Sequence, residues 1–318
     1  MAPEGRSRLV WADLPDGVAH LITGRLGEQV IGGHSHDGGY SPGLASTLVT
    51  ESGERVFVKA VGESLNAFAA ELYRREAAVV AHLGDHVPAP RFRWSAEARL
   101  EGQDWVALAF DAADAPGPGR PWTPAGVAAA MDLADRIGDL DAPEGLEELA
   151  EEPFGYWHDV LADSQLRAGV AALDPWAAEN ADLLAILADG WAEAVAGGAL
   201  QHGDLRADNM VTLTGSVAAV DWPSATAGVP WFDQVAMVPS MALEGAGRPE
   251  ELLGVSRHAC AADSGAVNAV LAAISGYFLY SCLRPPPPGI PHVRAFQREQ
   301  GMVCTRWLRR RLAATTAG

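Results

Sequence analysis

The chain has 318 residues, 48% of them hydrophobic and 20% charged, a balance that predicts a folded protein with length enough for two cores. Its formal charge of -18 argues against a nucleic-acid partner, because phosphate backbones are held by surplus Lys and Arg; it either steers a cationic partner or serves solubility. Cys260, Cys282 and Cys304 match no metal or disulfide framework, and the first residues lack an apolar leader, so a cytoplasmic protein with no membrane attachment, monomer or homodimer, is expected.

Asp13-Leu14-Pro15 opens a short helix with Val18, Leu21 and Ile22 on one face. Strands are predicted over 28–34, 44–50 and 55–61, parted by Asp37-Gly38-Gly39 with Ser41-Pro42-Gly43 and then by Glu51-Ser52-Gly53-Glu54. An amphipathic helix follows over 67–83, closed by Gly84 and the pair Pro88 and Pro90. Two more strands are read over 92–95 and 105–110, with a turn at Glu101-Gly102. Gly and Pro gather over 115–124 as a linker or surface loop. Beyond it, Ala-rich helical patterns cover 124–140, 177–195, 266–283 and 292–312, with a β-like interruption over 200–220. The stretch 266–283 contains Asn268, Ser275 and Gly276 and reads as a buried helix rather than a span. The run Pro285-Pro286-Pro287-Pro288 separates the last two helices. The expected fold class is α+β and bilobal, a small antiparallel-sheet lobe over 1–111 ending in a hinge and a larger helical lobe over 112–318.

The segment His202-Gly203-Asp204-Leu205-Arg206-Ala207-Asp208-Asn209 carries the spacing His-x-Asp-x-x-x-x-Asn of a kinase catalytic loop. Residues 210–213 and 217–220, joined by Thr214-Gly215-Ser216, form a hairpin that delivers Asp221. Asp204 is placed to receive the proton of an acceptor hydroxyl, and Asn209 and Asp221 offer hard oxygens for Mg²⁺. Lys59 stands in the strand Arg55-Val56-Phe57-Val58-Lys59-Ala60, where a cation would hold the phosphates of ATP. Its helix partner is read as Glu76, with Glu71 still open, since periodicity does not separate the two. Ser41, in the loose glycine-bearing loop before Lys59, can donate a hydroxyl hydrogen bond to a phosphate.

With these motifs the chain resembles the aminoglycoside phosphotransferase and choline kinase-like family, whose fold is protein kinase-like. The resemblance is carried above all by Gln201 to Asn209 followed by Val220-Asp221-Trp222. It implies that Ser41 touches a nucleotide phosphate, that Lys59 pairs with Glu76, that Asp204 is the base, and that Asn209 and Asp221 hold magnesium. It further implies that Ala109 and Asp111 offer backbone groups to the adenine and that Asp233 braces the catalytic loop from a following helix. Arg206-Ala207 stands where many relatives have His-Pro or His-Gly, and Arg206 either contacts a ligand or is solvated.

Only eleven residues, 222–232, lie between Asp221 and Asp233, too few for a peptide-presenting activation segment, so a small-molecule hydroxyl acceptor is expected. An aminoglycoside or another cationic antibiotic suits the acidic helical half; a metabolic amino alcohol or sugar is the alternative, and a non-catalytic nucleotide-binding module the next. His34-x-His36-Asp37 reads as structural rather than metal-binding, and the basic stretch 306–311 as a solvated helix face.

Overall fold

Alternating apolar residues build an antiparallel sheet from β1 (Val30–Ser35), β2 (Leu44–Thr50), β3 (Arg55–Gly62), β4 (Phe92–Leu100) and β5 (Gln103–Asp111), in the order β1-β2-β3-β5-β4. The computed structural model describes residues 8–36, 42–152, 154–287 and 292–315. The remaining strands are short: β6 (Ala115–Pro116), β7 (Ala199–Gln201), β8 (Met210–Leu213), β9 (Ser216–Ala219) and β10 (Thr226–Gly228). The chain divides into two units, Met1–Gly117 with Val211–Pro223, and Pro118–Met210 with Ser224–Gly318. Residues 211–223, read from sequence with the helical lobe, are grouped here with the sheet.

In the first unit, α1 (Asp16–Leu26) buries Val18 and Ile22 completely in a core shared with Leu44, Leu48, Val58 and Trp105. The helix α2 (Glu63–Val80) starts earlier than its periodicity suggests, but Asn66 is non-helical at φ -165 and ψ 99. The Asn66 side chain accepts from the Ala69 amide at 2.9 Å, as an N-cap does, so the regular pattern does begin at 67. Strands β4 and β5 run further than the apolar stretches predicted. Their outer ends carry charges such as Arg99 and Asp104, which pair across the hairpin at 3.1 Å. β6, β8 and β9 form a separate three-stranded sheet. The Ala219 amide donates to the Pro88 carbonyl at 2.7 Å, tying the end of this hairpin to the loop after α2.

The second unit is helical apart from the antiparallel pair β7 and β10. It contains α3 (Pro124–Gly138), α4 (Tyr156–Ala162), α5 (Ser164–Leu173), α6 (Pro175–Glu179), α7 (Ala181–Asp189), α8 (Trp191–Val195), α9 (Phe232–Leu243), α10 (Pro249–Leu253), α11 (Arg257–Ala261), α12 (Ser264–Cys282) and α13 (Val293–Thr315). The helical pattern read over 177–195 is interrupted at Asn180 and Gly190. By length and composition α12 is apolar enough to cross a membrane, yet 67% of its most apolar window is buried among neighbouring helices. Trp157, fully buried on α4, donates to the Ala272 carbonyl of α12 at 2.7 Å. It presses so closely on Gly276 that a Cβ there would meet the indole Cδ1 at 2.7 Å.

Candidate active site

In the first unit, Lys59 leaves the middle of β3 with 7% of its surface exposed, and an unpaired ammonium at that depth would be strongly disfavoured. Two carboxylates compensate it. Glu76 of α2, 1% exposed, forms an ion pair with Nζ, and Asp221 Oδ1 lies 2.9 Å from the same nitrogen. Between Glu71 and Glu76, the residue on Lys59 is Glu76; Glu71 instead meets Arg74 at 3.5 Å. Burial pulls the Lys59 ammonium toward deprotonation, but Asp221 and then Glu76 outweigh it and hold its pKa above the ordinary lysine value. Burial pushes the Glu76 carboxyl up to about 7, against the pull of Lys59 and of a hydrogen bond from the Trp222 backbone.

Sequence reading did not find Tyr73, whose ring lies 5.1 Å beneath Nζ, though its spacing of three from Glu76 puts both on one face of α2. Asp221 follows β9 with its backbone at φ 69, an uncommon conformation for a residue with a side chain, and its carboxylate is half exposed. Ala109 is fully buried in β5, opposite Val58 and Trp94. The Asp111 amide donates to the Arg91 carbonyl at 2.9 Å, and its carboxylate accepts from Arg93 at 2.6 Å, so this amide is not open to a base. Ser41 and the loop 37–41 lie outside the described residues.

In the second unit, β7 leads into the catalytic-loop motif. Asp233, in the first turn of α9 and 1% exposed, accepts from the amides of His202 at 2.7 Å and Gly203 at 2.9 Å. Its own amide donates to Gln201 Oε1 at 3.3 Å. Burial raises the Asp233 carboxyl to about 6, opposed by those two amides and assisted by the charge of Asp204. Gly203 sits at φ 79, and a Cβ there would overlap the carbonyl oxygen of Ser224, so the motif needs glycine at this position.

Asp204 emerges from this brace with its side chain 48% exposed. Asn209 folds back on it, donating from Nδ2 to the Asp204 carbonyl at 2.8 Å and to Oδ2 at 3.3 Å. That orientation leaves Asn209 Oδ1 without a donor among the described residues. Arg206 is neither simply solvated nor remote: its Nη2 donates to Asp208 at 2.8 Å, and its Nε lies 3.6 Å from Asp204 Oδ1.

Among the described residues no three His, Cys, Asp or Glu side chains cluster as a metal site. The candidate magnesium ligands are instead an Asp221 carboxylate in the first unit and an Asn209 amide oxygen in the second, each a hard oxygen donor of the kind magnesium takes.

The model of the phosphotransferase enzyme family matches residues 46–270. No curated protein sequence matches the chain significantly. A solved structure of a thermostable aminoglycoside phosphotransferase APH(4)-Ia with AMP-PNP and hygromycin B aligns over 93% of this chain and 98% of its own, at 17% identity and a TM-score of 0.61. Spectinomycin phosphotransferase APH(9)-Ia, solved with ADP and its antibiotic, aligns over 91% of this chain and 97% of its own, at 12% identity and 0.54. A putative fructosamine-3-kinase from Thermobifida fusca aligns over 92% of this chain and 100% of its own, at 18% identity and 0.54. At such identities the likeness is one of fold, and that fold is kinase-like.

Proposed function

Because this chain belongs to the phosphotransferase enzyme family, we propose that it moves the γ-phosphate of ATP, with Mg²⁺, to a hydroxyl of a small cationic acceptor. The observation that carries this reading is the buried Lys59 held by both Glu76 and Asp221. A cation fixed at that depth by two carboxylates from separate elements is pre-set to receive phosphate oxygens.

In the proposed reaction the acceptor oxygen forms a bond to the γ-phosphorus while the bond to the ADP oxygen breaks, the electron pair leaving with ADP. Asp204 takes the acceptor's hydroxyl proton, and the brace from Asp233 fixes where its carboxylate stands. Lys59 binds and orients the α- and β-phosphates, and the open Oδ1 of Asn209 together with the Asp221 carboxylate would hold the metal. Magnesium, when bound, neutralises charge on the β- and γ-phosphates. A base reaching the end of β5 finds the Asp111 amide already engaged by the Arg91 carbonyl.

A cationic acceptor such as an aminoglycoside is supported by the formal charge of -18 and by the antibiotic phosphotransferases of like fold. The test is transfer of radiolabelled γ-phosphate across aminoglycosides, other cationic antibiotics, amino alcohols and sugars, with Asp204→Asn as control. ATP binding without turnover on any acceptor would replace this reading by a non-catalytic nucleotide-binding module.

A further inference from the structure

A band of aromatic rings runs from the catalytic loop across the second unit. Next to Asp204, the Arg206 guanidinium stacks 5.2 Å from the ring of Phe296, in the first turn of α13. Phe296 meets Phe278 edge-on at 6.3 Å, and Phe278 meets Tyr277 at 5.2 Å. From Tyr277 the contacts fork to Tyr156 at 5.4 Å and Phe154 at 5.8 Å, and Tyr156 continues to Tyr280 at 5.1 Å. All six rings are half-buried, so each keeps surface open to solvent.

Half-open aromatics gathered in this way are not what a core needs, since a core would cover them. A buried polar group points the same way. Beneath the band, Trp191 packs on Phe154 at 4.2 Å, and its Nε1 is buried with no partner among the described residues. Such an orphan donor is normally satisfied in a folded protein.

Two carboxylates, Glu152 and Asp159, act on the Tyr156 end of the band. Burial first, then Tyr277, Glu152, Tyr280 and Asp159, raise the Tyr156 phenol above its ordinary value. Faces of rings with carboxylates at their rim attract organic cations, and two rings of the band already hold guanidinium groups, Phe296 that of Arg206 and Tyr280 that of Arg284 at 5.4 Å.

We propose that this band is an acceptor subsite, that Tyr156 and Tyr277 are its specificity-determining residues, and that it takes an organic cation carrying an aromatic or extended apolar group. The proposal rests on the reading of Asp204 as the catalytic base, because Arg206 and Phe296 tie the band to that residue. It narrows the acceptor from polyhydroxylated amines in general to amines with a flat apolar face.

The test is calorimetric titration of the full chain with benzyltrimethylammonium, with tetramethylammonium as the ring-free control and neopentylbenzene as the uncharged one. Benzyltrimethylammonium should bind, and both controls should bind at least about tenfold more weakly, the scale of a desolvated cation–π contact. Tyr277→Leu and Tyr156→Leu should each weaken it about tenfold, while Tyr277→Phe and Tyr156→Phe, which keep the rings, should stay within about twofold. Near-UV circular dichroism checks that each variant is folded. Absent binding to the wild type, or equal binding to the Leu variants, overturns the subsite. Tyrosine-dependent binding without phosphoryl transfer to any acceptor would overturn the acceptor role, leaving a cation-binding aromatic face, and would sink the kinase reading with it.

Discussion

Lys59 Nζ lies 2.9 Å from Asp221 Oδ1, although 162 residues separate them in sequence. The same nitrogen is paired with Glu76, so two carboxylates share one buried ammonium. The cation proposed to bind phosphate and a candidate metal ligand thus neutralise each other. Asp221→Asn should keep the fold, because Glu76 still compensates Lys59, and should abolish metal-dependent turnover. Unfolding curves and turnover measured across magnesium concentrations check both halves.

Removing the cation should have a different signature. Lys59→Met leaves Glu76 buried without its partner and should lower stability by about 3–5 kcal/mol. The double variant Lys59→Met with Glu76→Met replaces the pair by apolar side chains and should recover most of that loss while remaining inactive. Urea denaturation and phosphoryl transfer measured on the same samples check it. A double variant as unstable as the single one would mean that the pair itself supports the fold.

Asp204 contributes little to packing, with about half of its side chain exposed. Asp204→Asn should lower kcat by about 10²- to 10⁴-fold with the melting temperature and nucleotide affinity unchanged. Steady-state kinetics with calorimetric nucleotide titration check it, and a variant retaining full kcat would remove Asp204 from the role of base.

Asp233 gives a pH signature. Its carboxyl is raised from 3.8 to about 6, so the folded state holds the proton more tightly than the unfolded chain does. The resulting stability is fully present below the unfolded value and is lost as pH rises through about 6. Asp233→Asn lacks this titration. Going from pH 7 to pH 5, the wild type should therefore gain about 1 kcal/mol on the variant, from about 1.4 kcal/mol per pKa unit. Parallel stability curves for the two proteins would contradict the assignment.

Gly203→Ala should cost about 1–3 kcal/mol, from the left-handed backbone and the overlap with the Ser224 carbonyl. It should also shift Asp204, lowering kcat while nucleotide binding at Lys59 persists. Thermal melts and kinetics on one preparation check both effects.

Several parts of this fold were legible because local patterns are strong. Apolar alternation marks β2 and β3 to within a residue, and the capped start of regular helix at 67 is visible in the periodicity of α2. The short helices α4, α5, α10 and α11 were not read, since helices of ten residues or fewer carry too few turns to show a periodic face. The apparent helix over 177–195 became three because Asn180 and Gly190 end turns that alanine-rich composition conceals. At the candidate site, spacing singles out Asp204, Asn209 and Asp221 as candidates, since those residues stand near one another in the chain. The aromatic band was invisible to spacing, because Phe154, Tyr277 and Phe296 come from three distant segments. The choice between Glu71 and Glu76 needed the third dimension as well, as both lie on one helix.

The break at Asn66 bears on which changes of length this chain can absorb. Each residue inserted into a continuous helix rotates everything after it by about 100°, which would swing a glutamate off its lysine. Because the regular part of α2 restarts under its own side-chain cap, insertions before 66 can be absorbed at that joint. The glutamate's bearing is set by ten residues of helix rather than by everything that precedes them. The segment ahead of Asn66 is thereby freed to diverge while the ammonium keeps its counter-ion.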